Sequence, residues 1–80
     1  MPEDKHLQYR DLRRLLSRFG VYEVKSRGKG SHRLFVHENI NGRKISYPIK
    51  CHHEGEEIHS FITRKIRRAF NIPYEQFYSK

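Results

Sequence analysis

The chain has 80 residues, with 17 Lys and Arg against nine Asp and Glu and a formal net charge of +8. That length leaves room for one domain, expected over residues 1–80, whose small core buries about 60% of the unfolded surface. Five Tyr and five Phe exclude a disordered tail, and so one-sided a charge points to a polyanionic partner, nucleic acid first.

From Leu7 onward the pattern is helical. Leu12, Leu15, Leu16 and Phe19 fall at i, i+3, i+4 and i+7, which is one helix face, and Arg10, Arg13, Arg14 and Arg18 lie on the other. The spacing predicts a helix over residues 8–18, stopped by Gly20, a residue that readily takes the left-handed conformation of helix ends. Residues 21–25, β-branched and aromatic, predict a short strand, and Ser26-Arg27-Gly28-Lys29-Gly30-Ser31 a loop. A second strand is predicted over residues 32–37. In it Leu34 and Val36 point one way and Phe35 the other, so either the second face of the sheet is partly apolar and meets a partner, or Phe35 is a lone surface aromatic. Asn39-Ile40-Asn41-Gly42 carries the Asn-Gly signal of a hairpin. The third strand, residues 44–49, puts Ile45, Tyr47 and Ile49 on one face, and Pro48, which has no N–H to donate, marks a sheet edge.

Residues 50–57 are polar and loop-like. A second helix is predicted over residues 59–70, with Ile58, Phe61, Ile62, Ile66 and Ala69 as its apolar stripe, Arg64, Arg67 and Arg68 on the polar arc and Lys65 at the rim. Asn71 suits the C-terminal cap and Pro73 blocks continuation. The tail, residues 72–78, is too aromatic to float free and is expected to pack back. The order α-β-β-β-α predicts an α+β two-layer sandwich, a three-stranded antiparallel sheet with both helices on one face.

The segment from Lys25 to Arg33 is the strongest candidate for chemistry. Gly28 and Gly30 let backbone amides approach an anion closely, four cations (Lys25, Arg27, Lys29, Arg33) surround them, Ser31 offers a hydroxyl, and His32 offers a base. An imidazole gives or takes a proton near neutral pH. Phosphate held beside a histidine is what RNA cleavage through the 2′-hydroxyl needs, and such cleavage needs no metal because the nucleophile is already in the substrate. The plain alternative is a solvated basic hairpin loop that binds phosphate without catalysis. A nucleotide-binding P-loop is excluded: the first glycine of that motif is missing and a strand follows where a helix should.

Cys51, His52, His53 and His59 could suggest a metal. Adjacent Cys and His side chains diverge, however, and no C-x-x-C or H-x-x-x-H spacing completes a tetrahedral set, so neither metal nor cofactor is expected. A single cysteine excludes an internal disulfide. No segment approaches the roughly 20 apolar residues of a membrane span, and Met1-Pro2-Glu3-Asp4-Lys5-His6 lacks the apolar run of a secretory signal, so a cytoplasmic location is expected.

Taken together, Asp11-Leu12-Arg13-Arg14-Leu15-Leu16, Gly20, the strand at residues 21–25, Lys29-Gly30-Ser31-His32, Phe35, Gly42, Tyr47-Pro48 and the tail Asn71-Ile72-Pro73-Tyr74-Glu75-Gln76-Phe77 resemble the HicA (YcfA-like) toxin family. The second helix matches by pattern rather than by residue. The resemblance implies a double-stranded-RNA-binding-domain-like fold and a metal-independent mRNA interferase of a type II toxin–antitoxin pair. It also implies that His32 is the catalytic histidine and that a HicB-type antitoxin covers the site. RNA-backbone contacts are expected from Lys25, Arg27, Lys29, Gly30, Ser31 and Arg33 by proximity to His32. The other function class is a non-catalytic RNA-binding module on the same fold, reading shape and 2′-hydroxyls with basic loops and helix ends.

Overall fold

The computed structural model describes residues 3–25 and 32–79. In chain order the elements are β1 (Leu7–Gln8), α1 (Tyr9–Ser17), β2 (Tyr22–Lys25), β3 (His32–Ile40), β4 (Arg43–Lys50), β5 (Glu57–Ile58), α2 (Ser60–Ala69) and α3 (Tyr74–Phe77). Strands β2, β3 and β4 form an antiparallel sheet in that order, so β3 is central and β4 is an edge, where Pro48 costs no ladder bond. The architecture is the α+β layout expected for a double-stranded-RNA-binding-domain-like chain.

The local signals act where the sequence puts them. Gly20, at φ 82°, leaves α1 in a conformation that favours glycine; a Cβ there would lie 2.9 Å from His37 Nε2, so the imidazole would also have to shift. Asn41 and Gly42, at φ 52° and 84°, make the two-residue turn that joins β3 to β4, with Ile40 opposite Arg43. Asn39 Oδ1 accepts from Gly42 N at 2.7 Å, and His37 Nδ1 accepts from Asn39 N at 3.0 Å. Between these residues the register slips, so His37 pairs with Ile45 and, from there on, Phe35 with Tyr47 and His32 with Lys50. Asn71, at φ 57°, ends α2.

The core lies between the sheet and the helices. Tyr9, Leu12 and Leu16 of α1 meet Val21, Phe35 and Ile49, and Cys51, Ile58, Ile66, Phe70, Ile72 and Phe77 complete it. Phe35 faces inward, stacked on Tyr9 with ring centroids 5.7 Å apart, a contact worth about 1 kcal/mol beyond its buried area. It is Leu34 and Val36, with Tyr22, Val24 and Pro48 beside them in register, that make the outer face apolar. The tail packs back as expected, through a fully buried Phe77 stacked on Phe19.

Three expectations are corrected. Part of the polar segment after Lys50 is a strand: β5 pairs with β1, with Leu7 opposite Ile58 and Gln8 opposite Glu57. Two-residue strands carry no readable alternation. Phe61 is not core but 53% exposed, because the buried face of α2 runs through Ile62, Thr63, Ile66 and Phe70. Thr63 can sit there, fully buried, since its hydroxyl donates to the His59 carbonyl one turn back. Arg67, assigned to the polar arc, turns inward instead. Its guanidinium grips Asp4 through two bonds of 2.9 and 3.1 Å and also donates to the Ile72 carbonyl at 2.9 Å.

Burial alone would raise the Asp4 carboxyl, but the Arg67 guanidinium and the Tyr78 hydroxyl hold it below the usual carboxylate range. A depressed carboxylate contributes stability above its unfolded value, near pH 3.9, and loses it as pH falls through the folded value. Asp4→Asn is therefore expected to cost about 3 kcal/mol at pH 7, with the gap to the parent protein smaller in acid, well below about pH 3.9. Thermal melts at both pH values check this; an equal gap at both would refute it.

Candidate functional site

Strand alternation sorts the residues around His32. The inward set of β3 begins with Arg33, 9% exposed, whose NH1 lies 3.2 Å from Glu23 Oε2 and whose guanidinium sits 4.8 Å over the Tyr9 ring. The Tyr9 hydroxyl also donates to Glu23, and burial together with that carboxylate pushes its pKa well above the usual phenol range. Arg13 of α1 adds a third partner, 3.7 Å from Glu23 and 2.6 Å from Glu54. Arg33, expected to hold RNA backbone, is thus committed to an ion network beneath the sheet. A buried guanidinium paired this closely cannot turn to a solvent phosphate without giving up its partner Glu23.

One residue earlier, His32 faces the opposite way. It stands half-buried on the outer face, directly across from exposed Lys50. Facing cross-strand pairs have Cβ atoms about 5 Å apart, so an imidazole and an ammonium can address one phosphate. The two open onto a groove of about 490 Å³ walled by Val24, Leu34, Pro48 and Ile49. Along the same face Tyr22 and Val24 are each 42% exposed. The site therefore joins a titratable base, a cation and an apolar floor.

Lys25 is exposed at the end of β2, level with Arg33. Arg27, Lys29, Gly30 and Ser31 lie outside the described residues. Lys50 was missed as a site residue because residues 50–57 read as a loop. Counting back from the two-residue turn would place it opposite Arg33; the irregularity between His37 and Ile40 moves it opposite His32.

The histidine and cysteine cluster disperses. Cys51 is fully buried, its thiol donating to the His53 carbonyl at 3.0 Å and pushed up by burial, while His52 and His53 are exposed. His59 caps α2, its Nδ1 accepting from Phe61 N at 3.0 Å, and His6 Nδ1 accepts from Ser60 N at 3.1 Å. Among the described residues no three His, Cys, Asp or Glu side chains gather as metal ligands, and no helix is long and apolar enough to cross a membrane.

No curated protein and no solved structure matches the chain. A family model does: the one described as HicA toxin of bacterial toxin-antitoxin matches residues 9–72, from the start of α1 through α2 to Ile72. That span takes in the outward-facing His32, the sheet that carries it and both helices behind it, and the chain belongs to the HicA toxin family.

Proposed function

We propose that this toxin is an endoribonuclease, an mRNA interferase, that cleaves RNA with His32 and is neutralised by a HicB-type antitoxin. The observation that carries this reading is the outward His32 imidazole with Lys50 directly across the strand, at the mouth of a groove with an apolar floor.

In the reaction the RNA's own 2′-hydroxyl attacks the adjacent phosphorus, and the bond from phosphorus to the 5′ oxygen breaks. The proton leaves the 2′-hydroxyl as attack begins and another must reach the departing 5′ oxygen; His32 serves one of these transfers as general base or acid. The products are a 2′,3′-cyclic phosphate and a 5′-hydroxyl. Negative charge accumulates on the phosphate oxygens, where Lys50 stands beside the imidazole. Lys25, Arg27 and Lys29 hold the flanking backbone, and Gly30 and Ser31 offer donors to the scissile phosphate. Arg33 acts from beneath, by anchoring β3. The apolar strip of Tyr22, Val24, Leu34 and Pro48 beside His32 suits a protein partner: an antitoxin that buries it also covers the imidazole.

Binding should be largely electrostatic. With about four to six phosphates engaged, log K on single-stranded RNA should fall with log salt at a slope of roughly −3 to −4. Anisotropy titrations between low and physiological salt measure it, and a flat response would remove the polyanion reading.

His32→Ala should leave the melting temperature nearly unchanged, since surface changes away from special contacts stay within about 0.5 kcal/mol. RNA binding should persist while cleavage falls by roughly 10²–10⁴-fold. Wild-type products should carry cyclic phosphate ends, and 2′-deoxy substitution at the cut position should block cleavage. Cleavage by His32→Ala at the wild-type rate would overturn the assignment; binding without cleavage by either protein would make the chain a non-catalytic RNA-binding module.

A further inference from the structure

The α2 face turned away from the core has a composition that packing does not explain. Phe61, Arg64, Lys65 and Arg68 are all exposed and fall at i, i+3, i+4 and i+7, so they form one stripe along the helix. Phe61 is the most exposed large apolar side chain among the described residues, at 53%. Lys65 Nζ stands 4.3 Å from its ring centroid, over one ring face. Among the described residues none of these three cations makes a salt bridge, whereas Arg67, one position away, is spent on Asp4. The backbone N–H of Phe61 is fixed by the His59 cap, so the ring is carried at the rigid first turn.

The stripe is connected to His32 along the surface. The groove at His32 shares Pro48, Ile49 and Lys50 with a second depression of about 320 Å³ that runs past Ile58 and Ile62 to His59. His59 in turn borders a third depression, which holds Ser60, Phe61 and Arg64. Glu56 and Glu57 line the middle stretch, and Glu3 and Asp4 border the far one, with Asp4 neutralised by Arg67. Attraction for an anion is therefore concentrated at two ends, Lys50 at one and Arg64, Lys65 and Arg68 at the other.

We propose that Phe61 is a stacking platform for an unpaired base of single-stranded RNA whose backbone is held by Arg64, Lys65 and Arg68, so that a strand cut at His32 is gripped a second time on α2. An aromatic ring beside cations matches a polyanion that also presents flat faces, and a duplex presents no free base face in its interior. The proposal rests on the nuclease reading for its registration with His32, but the platform itself is a binding site that can be tested without cleavage.

The test uses the full chain in the His32→Ala background, so that RNA stays intact, and a labelled single strand of about 12 nucleotides, within the reach of small single-strand-binding modules. Phe61→Ala and Phe61→Leu should each weaken binding about 5- to 100-fold, while Phe61→Trp retains it. The sequence has no Trp, so the indole of Phe61→Trp is also a unique reporter whose emission RNA should change. Arg64→Ala with Arg68→Ala should reduce the salt slope by roughly 1.4. A duplex of the same length should not distinguish Phe61 from Ala, and circular dichroism melts should show all variants folded. With His32 restored, Phe61→Ala should still cut a dinucleotide at the wild-type rate.

Equal affinity of Phe61→Ala and its parent for the single strand would overturn the platform, as would an equal loss on duplex. An indole signal that responds to the antitoxin and not to RNA would assign the stripe to the protein partner instead. If RNA is cut normally but Phe61→Ala binds normally, only the platform fails; if nothing is cut but Phe61→Ala weakens binding, only the nuclease reading fails.

Discussion

The fold turns on one buried charge, the guanidinium of Arg33. It lies under the central strand, paired with Glu23 and set over the Tyr9 ring, and so ties α1, β2 and β3 together at one point. A charge taken out of water needs partners, and here a carboxylate and an aromatic face supply them, while the guanidinium Nε is left without a hydrogen-bond acceptor. Because successive strand residues alternate, pinning Arg33 inward fixes the neighbouring His32 outward. The candidate catalytic group owes its orientation to a buried neighbour.

The excess of basic residues is divided between two tasks. Arg13, Arg33 and Arg67 are ties within the fold: Arg13 and Arg67 join segments distant in sequence, and Arg33 joins neighbouring strands β2 and β3. Lys50, Arg64, Lys65 and Arg68 face solvent on the surface that runs from β4 to α2. Net charge alone does not separate these groups; burial and partners do. The same division applies to the aromatics. Tyr9, Phe35 and Phe77 build the core, while Tyr22 and Phe61 are left outside it.

The sequence made much of the fold legible because its strongest signals are local. Gly20, Asn41-Gly42, Pro48 and Asn71 each act through their own backbone, and each sits where its chemistry requires. What was not legible depends on cooperation between distant segments. The β1–β5 pairing exists only once α1 and α2 are placed. Thr63 is buried because its hydroxyl is satisfied within the helix, and the α2 face that it shares with Ile62 and Ile66 leaves Phe61 outside the core. In the candidate site, the motif singles out His32, whereas the placement of Lys50 opposite it depends on a register irregularity that no single residue announces.

β4 is an outer strand, and the main-chain groups along such an edge invite a strand from another molecule to add on. Pro48 withholds one amide near the middle of that edge, and Arg43, Lys44 and Lys50 place like charges along the strand. Two copies brought edge to edge would miss a ladder bond and bring cations together, which discourages growth of intermolecular sheet even at high protein concentration.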